Sequence, residues 1–400
     1  MTDQRPLNIL VISYWYPNRT NPTLGNFNEK FALAAAGYNK VSVIHVVADE
    51  SMSAAEEWEE DVTTSVHVQR VYFKKGTSKN IFAKFSRSLR YLNYYRKALL
   101  KRNKQLGKMP DLVHVHVLFP AGIIALFMRW FYGIPYVVTE HWTGYLPGSY
   151  VHQSVYVRWL SRLAARKASK LLPVTHNLKD AMIGLGFRNS YEVVPNVFDV
   201  SDFYLPQTKE FRPKKQILHV SSLRDDHKNI SGLLRAIHRL SGIRKDFELH
   251  IVGDGDASPH IKLAGELGLQ DSFVRFSGEM SPTGIAAAMR DSDFFVLFSN
   301  YENLPCVIVE AFASGLPVIS TRVGGISEHL DESKGILIGP KDEDALVHAL
   351  NTMLDNHASY NKPELNKYAG EQFSYESVGR RLNTIYREVL GMKNNNNHPK

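Results

Sequence analysis

Short runs of apolar, β-branched residues alternate with amphipathic stretches along the first half of the chain. The short runs predict buried strands, and the stretches with apolar residues at every third or fourth position predict helices. This alternation implies right-handed crossovers and a parallel sheet with helices on both faces. The predicted strands are Asn8–Ser13, Val41–Val47, Asp111–Val117, Pro135–Thr139, Lys170–Val174 and Tyr191–Val194, and the predicted helices are Gly25–Ala36, Ala121–Trp130 and Val151–Ala168.

The same alternation restarts in the second half of the chain after a break. Turn-prone residues fill the stretch between Pro195 and Pro213. We therefore predict a linker near 196–212 between two doubly wound α/β domains. The second set of predicted strands is Lys215–Ser221, Phe247–Val252, Phe273–Ser277, Phe294–Phe298 and Pro317–Ser320, and the helices are Asn229–Leu240, Ser258–Gly268, Pro282–Arg290, Cys306–Ser314, Ala345–Leu354 and Tyr375–Leu390.

The predicted domains cover residues 1–200 and 201–372. A helix at 373–392 follows, with the option of packing back onto the first domain, and the asparagine-rich end, 393–400, is expected to be disordered. Open parallel sheets bind ligands at the carboxyl ends of their strands. Two such domains facing each other would place their ligands in a cleft, so the strand ends are where candidate residues belong.

The composition is that of an ordinary globular protein. The chain has 400 residues, of which 44% are hydrophobic and 11% aromatic, and this length suits two domains. The single cysteine, Cys306, excludes an intramolecular disulfide and is typical of a reducing compartment. The longest apolar stretch, 121–138, contains Arg129 and Pro135 and is not a convincing transmembrane helix. We therefore expect a cytoplasmic protein.

The net charge of +8 is concentrated in the first half of the chain. Residues 1–200 hold 25 Lys or Arg against 14 Asp or Glu, and ten of these cations lie between Lys79 and Lys108. Apolar residues at helical spacing separate them, which predicts a basic amphipathic helix over 79–108. Such a helix either packs its apolar stripe on the core or makes peripheral contact with an anionic membrane. Nucleic acid is not an expected partner, because no helix-turn-helix, finger or RNP-like pattern accompanies the charge.

Two glutamates, Glu302 and Glu310, follow the apolar strand 294–298. The strand end and the turn put Glu302 at the mouth of the expected cleft, and Glu310 lies in the first turns of the next helix. A carboxylate there can accept hydrogen bonds from a vicinal diol such as a ribose. The helix start just after Asn303 and Leu304 offers backbone N–H groups to a phosphate.

This segment resembles the nucleotide-sugar-binding core of the retaining family 4 glycosyltransferases. The shared pattern is E-x7-E at Glu302 and Glu310, then G-[LV]-P-V-I from Gly315, then GGxxE ending at Glu328. The resemblance implies the GT-B architecture, in which two Rossmann-like domains face each other across a cleft. It also implies that the first domain binds the acceptor, that the second binds a nucleoside diphosphate sugar, and that neither a metal nor another cofactor takes part.

Further matches in the second domain supply cations and a glycine. The segment after strand 215–221 resembles the family's G-R-L-x-x-x-K-G pattern, in which Arg224 and Lys228 would clamp the diphosphate and stabilise its charge as the glycosidic bond breaks. The arginine stands two residues late, and Asn229 replaces the last glycine. Gly253 matches a strand-ending G-x-G, which lets the backbone approach the nucleotide.

Two matches lie in the first domain. Gly25, in the loop after the first strand, permits a positive φ and close approach of the backbone to a phosphate. His141 follows a strand end where the family commonly places a histidine close to the transferred sugar, whereas Glu140 beside it is less specific. His114 and His116 share one strand face, and we expect structural roles for both, with His116 the better candidate for the acceptor side.

Three other features carry less weight. Asp291 and Asp293 form a D-x-D pattern, but they precede their strand and lie at the wrong end of it for a metal role. Cys306 has no implied histidine partner to activate it as a nucleophile. Asn196 resembles the asparagine of a P-N-G-V-D pattern in which Val197 replaces the glycine.

The resemblance implies transfer of a sugar from a nucleoside diphosphate sugar to an acceptor hydroxyl with retention of configuration. UDP-sugars are slightly favoured over GDP-sugars as donors, and the expected acceptor is a glycan or lipid-linked glycan of cell-surface polysaccharide synthesis. The alternatives are a hydrolysing sugar-nucleotide 2-epimerase and a non-catalytic sugar-nucleotide-binding subunit. The expected catalytic residues are His141, Arg224, Lys228 and Glu302, and the expected donor-binding residues are Gly25, Arg224, Lys228, Gly253, Glu302, Asn303, Leu304 and Glu310.

Overall fold

Two α/β units make up the chain in the computed structural model, which describes residues 5–62, 65–75, 81–146, 154–206, 212–270 and 272–392. The first unit is Met1–Val197 with Tyr375–Lys400, and the second is Phe198–Ser374. Each is built around its own sheet with helices on both faces, which confirms the predicted fold class. The expected tail, 393–400, and part of the expected linker, 207–211, lie outside the described residues.

The sheet of the first unit has seven strands within the described residues, and it is parallel except for one edge strand. The strands are β1 (Asn8–Ser13), β2 (Lys40–Asp49), β3 (Glu56–Asp61), β4 (Val66–Lys74), β5 (Leu112–His116), β6 (Tyr136–Glu140) and β7 (Lys170–Pro173), and the helices are α1 (Asn26–Ala36), α2 (Ile81–Leu106), α3 (Leu118–Tyr132), α4 (Val155–Lys167) and α5 (His176–Gly184). The strand order is β3-β4-β2-β1-β5-β6-β7.

The edge strand β3, which was not predicted, has the acidic sequence EEWEED. Acidic residues are poor strand formers, so local preference does not explain it. Its carboxylates meet cations of neighbouring elements: Glu59 pairs with Arg70 of β4 at 2.9 Å, and Glu60 with Lys101 of α2 at 2.6 Å. Tertiary charge pairing therefore stabilises this strand.

The sheet of the second unit is parallel, with its first strand in the middle. The strands are β8 (Lys215–Val220), β9 (Phe247–Val252), β10 (Val274–Ser277), β11 (Phe294–Leu297), β12 (Val318–Thr321) and β13 (Gly335–Ile338), and the helices are α6 (Asp225–Lys228), α7 (Ile230–Ile243), α8 (Ser258–Glu266), α9 (Pro282–Asp291), α10 (Cys306–Ala313), α11 (Glu343–Asn356) and α12 (Lys362–Phe373). The order β10-β9-β8-β11-β12-β13 is that of a doubly wound nucleotide-binding sheet. Apolar clusters fill both faces, one beneath α7 and α11, the other beneath α10 and α12.

Besides β3, several predicted or omitted elements differ from the structure. The stretch 191–194 was predicted as a strand, but it forms only an isolated bridge, between Tyr191 and Leu171. The N–H groups of Glu192 and Val194 still donate hydrogen bonds to the backbone of β7. The strands β4 and β13 and the helices α5, α6 and α12 were not predicted. β13 starts at a glycine and has only four residues, too few for a clear periodic signal.

The last helix, α13 (Tyr375–Val389), returns to the first unit. Tyr386 is fully buried and its hydroxyl lies 2.6 Å from His114 Nδ1 of β5. A Cβ atom on Gly379 would lie 2.2 Å from the carbonyl oxygen of Ala34, so α13 packs directly on the backbone of α1. The C-terminal helix is therefore an integral part of the first unit.

The basic helix α2 packs on the sheet, and some of its charge is matched. Lys97 pairs with Glu56 at 3.1 Å, and Lys101 pairs with Glu60. The expected segment began at Lys79, and residues 79–80 lie outside the described part of the chain. No helix among the described residues is long and apolar enough to span a membrane. The buried residues of α2 include Tyr94, Tyr95, Ala98, Leu99 and Arg102.

Candidate active site

The two central strands of the second sheet, β8 and β11, mark the point where the winding of the sheet reverses. Ligands of doubly wound sheets bind outside the carboxyl ends of strands at such a point. The loops that leave these strands bring Lys228 and Glu302 together as an ion pair. Ser299 Oγ donates a hydrogen bond of 2.8 Å to the same carboxylate oxygen. The side chains of Lys228 and Glu302 are only 17% and 9% exposed, so the pair is held in place before any ligand arrives.

Arg224 immediately precedes the short helix α6 and takes no part in that pair. Its side chain is 65% exposed, and its guanidinium lies 2.8 Å from Asp226. Lys228 ends the same helix, and Asn229 follows it with the left-handed φ of 51°. Asparagine tolerates this conformation better than most other residues with a side chain, which explains how it can replace the family's glycine.

Gly253 follows β9 and touches the loop after β8. A Cβ atom on it would lie 1.9 Å from the carbonyl oxygen of Ser221, so a larger residue does not fit. One residue further, the carbonyl oxygen of Asp254 accepts a 2.8 Å hydrogen bond from the N–H of Leu223. Gly253 therefore fixes the path of the loop that leads to α6.

Helix α10 carries the second glutamate of the motif. It starts at Cys306 after Pro305, and no side chain caps its N-terminus. Such a helix start is suited to bind a phosphate. Glu310 lies further along the helix and is half-buried. The side chain of Leu304 is buried in the core, so only its backbone can meet a ligand.

The glycine pair after β12 packs against the loop that holds Glu302. The N–H of Gly325 donates a 2.7 Å hydrogen bond to the carbonyl oxygen of Asn303. Gly324 has a φ of +57°, and a Cβ atom on it would lie 2.1 Å from the carbonyl oxygen of Glu302. The GGxxE motif thus supports the E-x7-E motif through backbone contact.

In the first unit, the loop after β1 approaches His141. Gly25 precedes α1 with a φ of 65°, and a Cβ atom on it would lie 2.3 Å from the carbonyl oxygen of Trp15. The ring of Phe27, two residues on, has its centroid 4.6 Å from that of His141. Gly25 therefore closes the loop on itself and starts the helix that covers the histidine.

His141 belongs to a row of three buried imidazoles. Its Nδ1 lies 3.0 Å from Asn196 Oδ1, and its Nε2 lies 3.2 Å from His116 Nδ1. The ring of His114 lies 4.3 Å from that of His116, between centroids, and bonds to Tyr386 and to Thr139. Burial lowers the pKa of His114 and of His141 to about 3, and burial together with the neighbouring histidines holds the pKa of His116 well below its ordinary value.

Both ring nitrogens of His141 thus have partners inside the first unit. An amide oxygen only accepts, so the Nδ1–H of His141 donates to Asn196 and its Nε2 accepts from His116. The other nitrogen of His116, Nε2, is buried without a hydrogen-bond partner among the described residues. The sequence indicated Asn196 and His116 only as minor candidates. It did not predict that both bond to the ring of His141, because the three residues lie in separate segments of the chain and no local pattern links them.

Glu140 acts on the backbone around His141. Its carboxylate accepts N–H hydrogen bonds from Leu118 at 2.9 Å, from His141 at 2.9 Å and from Trp142 at 2.8 Å. Burial raises the pKa of Glu140 to about 7, while these three bonds act in the opposite direction. The side chain therefore fastens the end of β6 to the start of α3.

Asp291 and Asp293 lie at the amino end of β11, away from the motif loops. Asp291 pairs with Arg212 at 3.1 Å, and Asp293 accepts the N–H of Gln216 at 2.7 Å. No group of three His, Cys, Asp or Glu side chains suited to a metal ion occurs within the described ranges. Cys306 is exposed at the start of α10. It lies in the second unit, together with Asp291 and Asp293.

Two Rossmann-like units, the second with a largely buried lysine–glutamate pair at its switch point, are the architecture of the GT-B glycosyltransferases. Residues 214–356 match the family described as Glycosyl transferases group 1, and residues 32–197 match the Glycosyl transferase 4-like domain. The glycosyltransferase TuaC of Bacillus subtilis (strain 168), whose name refers to teichuronic acid biosynthesis, is 31% identical over 278 residues, 67% of either chain. The chain therefore belongs to the group 1 glycosyltransferase family.

Solved structures share the same fold. The lipopolysaccharide outer core galactosyltransferase WaaB matches with a TM-score of 0.72, covering 96% of this chain and 100% of that one. Alr3699/HepE of Anabaena, in complex with UDP, matches with a TM-score of 0.71 over the same shares. Either structure is 17% identical in sequence, so the likeness concerns the fold alone.

Proposed function

We propose that the protein transfers a sugar from a nucleoside diphosphate sugar to an acceptor hydroxyl with retention of configuration and without a metal ion. The observation that carries the proposal is the buried Lys228–Glu302 pair at the switch point of the second sheet. A lysine held there can meet the diphosphate, and a neighbouring uncapped helix start adds N–H groups. Family membership supports the transfer of a sugar.

The charges of the second unit suggest how the leaving group is stabilised. The charge of Lys228 is neutralised by Glu302 before the donor binds. A bound diphosphate must therefore share this lysine with Glu302, and its remaining negative charge requires further cations. Arg224 is the candidate, because its guanidinium is exposed and its one ion pair among the described residues is with Asp226, also at the surface. Fixed cations stabilise a departing diphosphate without a metal. We assign Arg224 and Lys228 to the leaving group.

The remaining residues are assigned to the donor by position. Glu310 holds the ribose, Glu302 orients the donor sugar, and the backbone of Asn303 and Leu304 faces the phosphates. Gly253 shapes the neighbouring loop, and Gly25 shapes the corresponding loop of the first unit. His141 contacts the sugar when its Nε2 gives up the hydrogen bond from His116 and accepts one from a sugar hydroxyl instead. We favour a same-face displacement in which the leaving phosphate helps to deprotonate the acceptor.

The donor and acceptor are proposed from relatives. HepE has been solved with UDP and with UDP-glucose, which favours a UDP-sugar over a GDP-sugar. The name of TuaC refers to teichuronic acid biosynthesis, which supports a glycan or lipid-linked glycan as acceptor. Contact of the segment 79–108 with an anionic membrane stays a prediction, since Lys97 and Lys101 are already paired with acids of β3.

Substitutions at the charged groups test the proposal. We expect Lys228→Met and Arg224→Ala each to lower turnover by about 100-fold or more, the effect of removing one donor that stabilises developing charge. Glu302→Gln should lower turnover as well, because it removes the carboxylate that orients the donor sugar and positions the ammonium group of Lys228. Arg235→Met is the matched control, because Arg235 forms an exposed ion pair with Glu343 in the same unit. Near-wild-type turnover in Lys228→Met would contradict the leaving-group assignment.

Product analysis separates the rival functions. Transfer requires the acceptor and yields a glycosylated product, whereas a 2-epimerase would release free nucleotide and an epimerised sugar without acceptor. A non-catalytic subunit would neither transfer the donor sugar nor hydrolyse it. We expect acceptor-dependent product in excess chelator, and strict dependence on a divalent ion would show the metal-independent scheme to be wrong.

A further inference from the structure

Helix α4 of the first unit exposes large apolar side chains to solvent. The exposed fractions are 72% for Val155, 67% for Tyr156 and 58% for Trp159. Single exposed apolar residues are ordinary, but a contiguous group on one helix marks an interaction surface. Three such side chains within five residues form such a group.

The same helix carries cations and no acidic residue. Val155, Trp159, Arg162 and Arg166 follow one another at intervals of four, three and four residues, which places them along a single helical face. The opposite face, with Ser161, Ala164 and Ala165, is buried. The exposed face is therefore apolar and aromatic towards the helix start and cationic towards its end. The cations of α4 are Arg158, Arg162, Arg166 and Lys167.

The cations of α4 are not matched by acids, in contrast to those of α2. Lys97 and Lys101 of α2 pair with carboxylates of β3. No ion pair within the described part of the chain involves a cation of α4. Arg162 donates two hydrogen bonds to the carbonyl oxygen of Leu185, which orient its guanidinium and leave its charge uncompensated.

One neighbouring helix, α3, extends the surface. Helix α3 packs against α4 and exposes 60% of Trp130 and 67% of Phe131 in its last turn. Arg129, in that turn, reaches the hydroxyl of Ser169 at 3.5 Å, just beyond the end of α4. The aromatic side chains of α3 thus lie towards the cationic end of α4.

We propose that this face of α4, with the end of α3, binds the surface of an anionic phospholipid bilayer. Tryptophan and tyrosine favour the boundary between headgroups and acyl chains. Arginine beside them can remain at the level of the lipid phosphates while its stem covers apolar surface. An amphipathic helix with uncompensated cations and no acid complements a negative surface, and it lies in the interface plane rather than crossing it. The proposal places membrane contact on α4 instead of the segment 79–108.

Vesicle co-sedimentation of the full chain, without donor or acceptor, tests the proposal. We expect binding to vesicles rich in phosphatidylglycerol and little binding to pure phosphatidylcholine. Arg166→Glu exchanges one attractive charge for a repulsive one, and we expect it to weaken binding by at least about five-fold, the effect of one charge near an anionic surface. Trp159→Ser should weaken binding too, and both side chains are exposed, so folding is preserved. Arg96→Glu, at an exposed cation of α2, is the matched control and should bind like the wild type.

A second readout locates the helix at the membrane. Brominated lipids should quench the fluorescence of the bound protein, and Trp159→Phe should lose part of this quenching while it still binds. Equal binding to both vesicle types, or full binding by Trp159→Ser and Arg166→Glu, would overturn the proposal, as would a loss confined to Arg96→Glu. A chain that sediments as a dimer and becomes monomeric with Trp159→Ser would show that a second copy covers the face. Failure in any of these tests would leave the transfer reaction untouched, because none of them measures it.

Discussion

The buried histidines of the first unit make the stability of that unit depend on pH. In the unfolded chain, histidines titrate near their ordinary pKa of about 6.5. His114, His116 and His141 stay neutral in the folded state because burial lowers their pKa, two of them to about 3. As the pH falls below about 6.5, these histidines bind protons in the unfolded state but not in the folded state, so the free energy of unfolding of the first unit decreases. Glu140 opposes this, because its raised pKa of about 7 favours the protonated folded state.

We expect these four groups together to lower the free energy of unfolding by about 2–3 kcal/mol per pH unit between pH 6 and pH 5, from three histidines less one carboxyl group. His45 of β2, whose pKa burial lowers to about 4, should add roughly 1 kcal/mol per pH unit in the same direction. Urea unfolding followed by tryptophan fluorescence measures this, since the tryptophans Trp15, Trp58, Trp130, Trp142 and Trp159 all lie in the first unit.

His116→Asn should reduce this pH slope by about 1.4 kcal/mol per pH unit, one proton's worth, whatever its effect on stability at pH 7. His348→Asn replaces an exposed histidine of the second unit and serves as the control. An unchanged slope in His116→Asn would mean that this imidazole already binds a proton in the folded protein.

Single residues show what the sequence could and could not predict about the site. Lys228, Glu302 and Gly253 were predicted from motif position, and the first two meet although 74 residues separate them. The pairing of Arg224 with Asp226 was not predicted, because a short helix orients both side chains and no motif specifies them. Their roles in catalysis stay predictions.

At the scale of elements, the loop after β12 holds the loop that carries Glu302. Gly324→Ala should displace both loops, because its added methyl group would meet the carbonyl oxygen of Glu302 and its φ is positive. We expect donor affinity, measured by calorimetry, to fall by at least about 10-fold, since a left-handed alanine alone costs about 1–3 kcal/mol. Gly278→Ala is the matched control, because no atom lies within 4 Å of the added carbon there.

Wild-type affinity in Gly324→Ala would show that the donor does not depend on the position of this loop. A loss shared by Gly278→Ala would point to general destabilisation of the second unit.

The elements themselves were predicted best where their own sequence carries the signal. The buried strands β1 and β9 have the predicted bounds, because the apolar run of β1 and the apolar–polar alternation of β9 are local signals. The strand β3 was not predicted, since its stability depends on cations of α2 and β4 that lie later in the chain. Long-range charge pairing leaves no local periodic pattern.

At the scale of the whole molecule, the first unit depends on the end of the chain. Tyr386→Phe removes the hydroxyl that bonds to His114 and leaves a buried ring nitrogen without that partner. We expect a loss of about 1–3 kcal/mol, confined to the first unit. Hydrogen exchange should then show faster exchange in β5 and unchanged exchange in β8.

Tyr38→Phe is the matched control for this prediction, since the hydroxyl of Tyr38 contacts the same helix at the surface, at the carbonyl oxygen of Glu376, 3.4 Å away, and at Arg380. Faster exchange in both units after Tyr386→Phe would show that the two units unfold together.

The packing of α13 on the first unit also affects the order in which the two units fold during synthesis. A ribosome releases the N-terminal strands first, and domains usually fold in that order during synthesis. Here α1 packs against Gly379, and His114 bonds to Tyr386. Both partners belong to α13, which is translated only after the whole second unit. The continuous stretch Phe198–Ser374 can therefore complete its fold while the N-terminal stretch is still unfinished. The second unit, whose synthesis starts later, is therefore the first to complete its fold. A nascent chain that ends before α13 cannot complete the first unit.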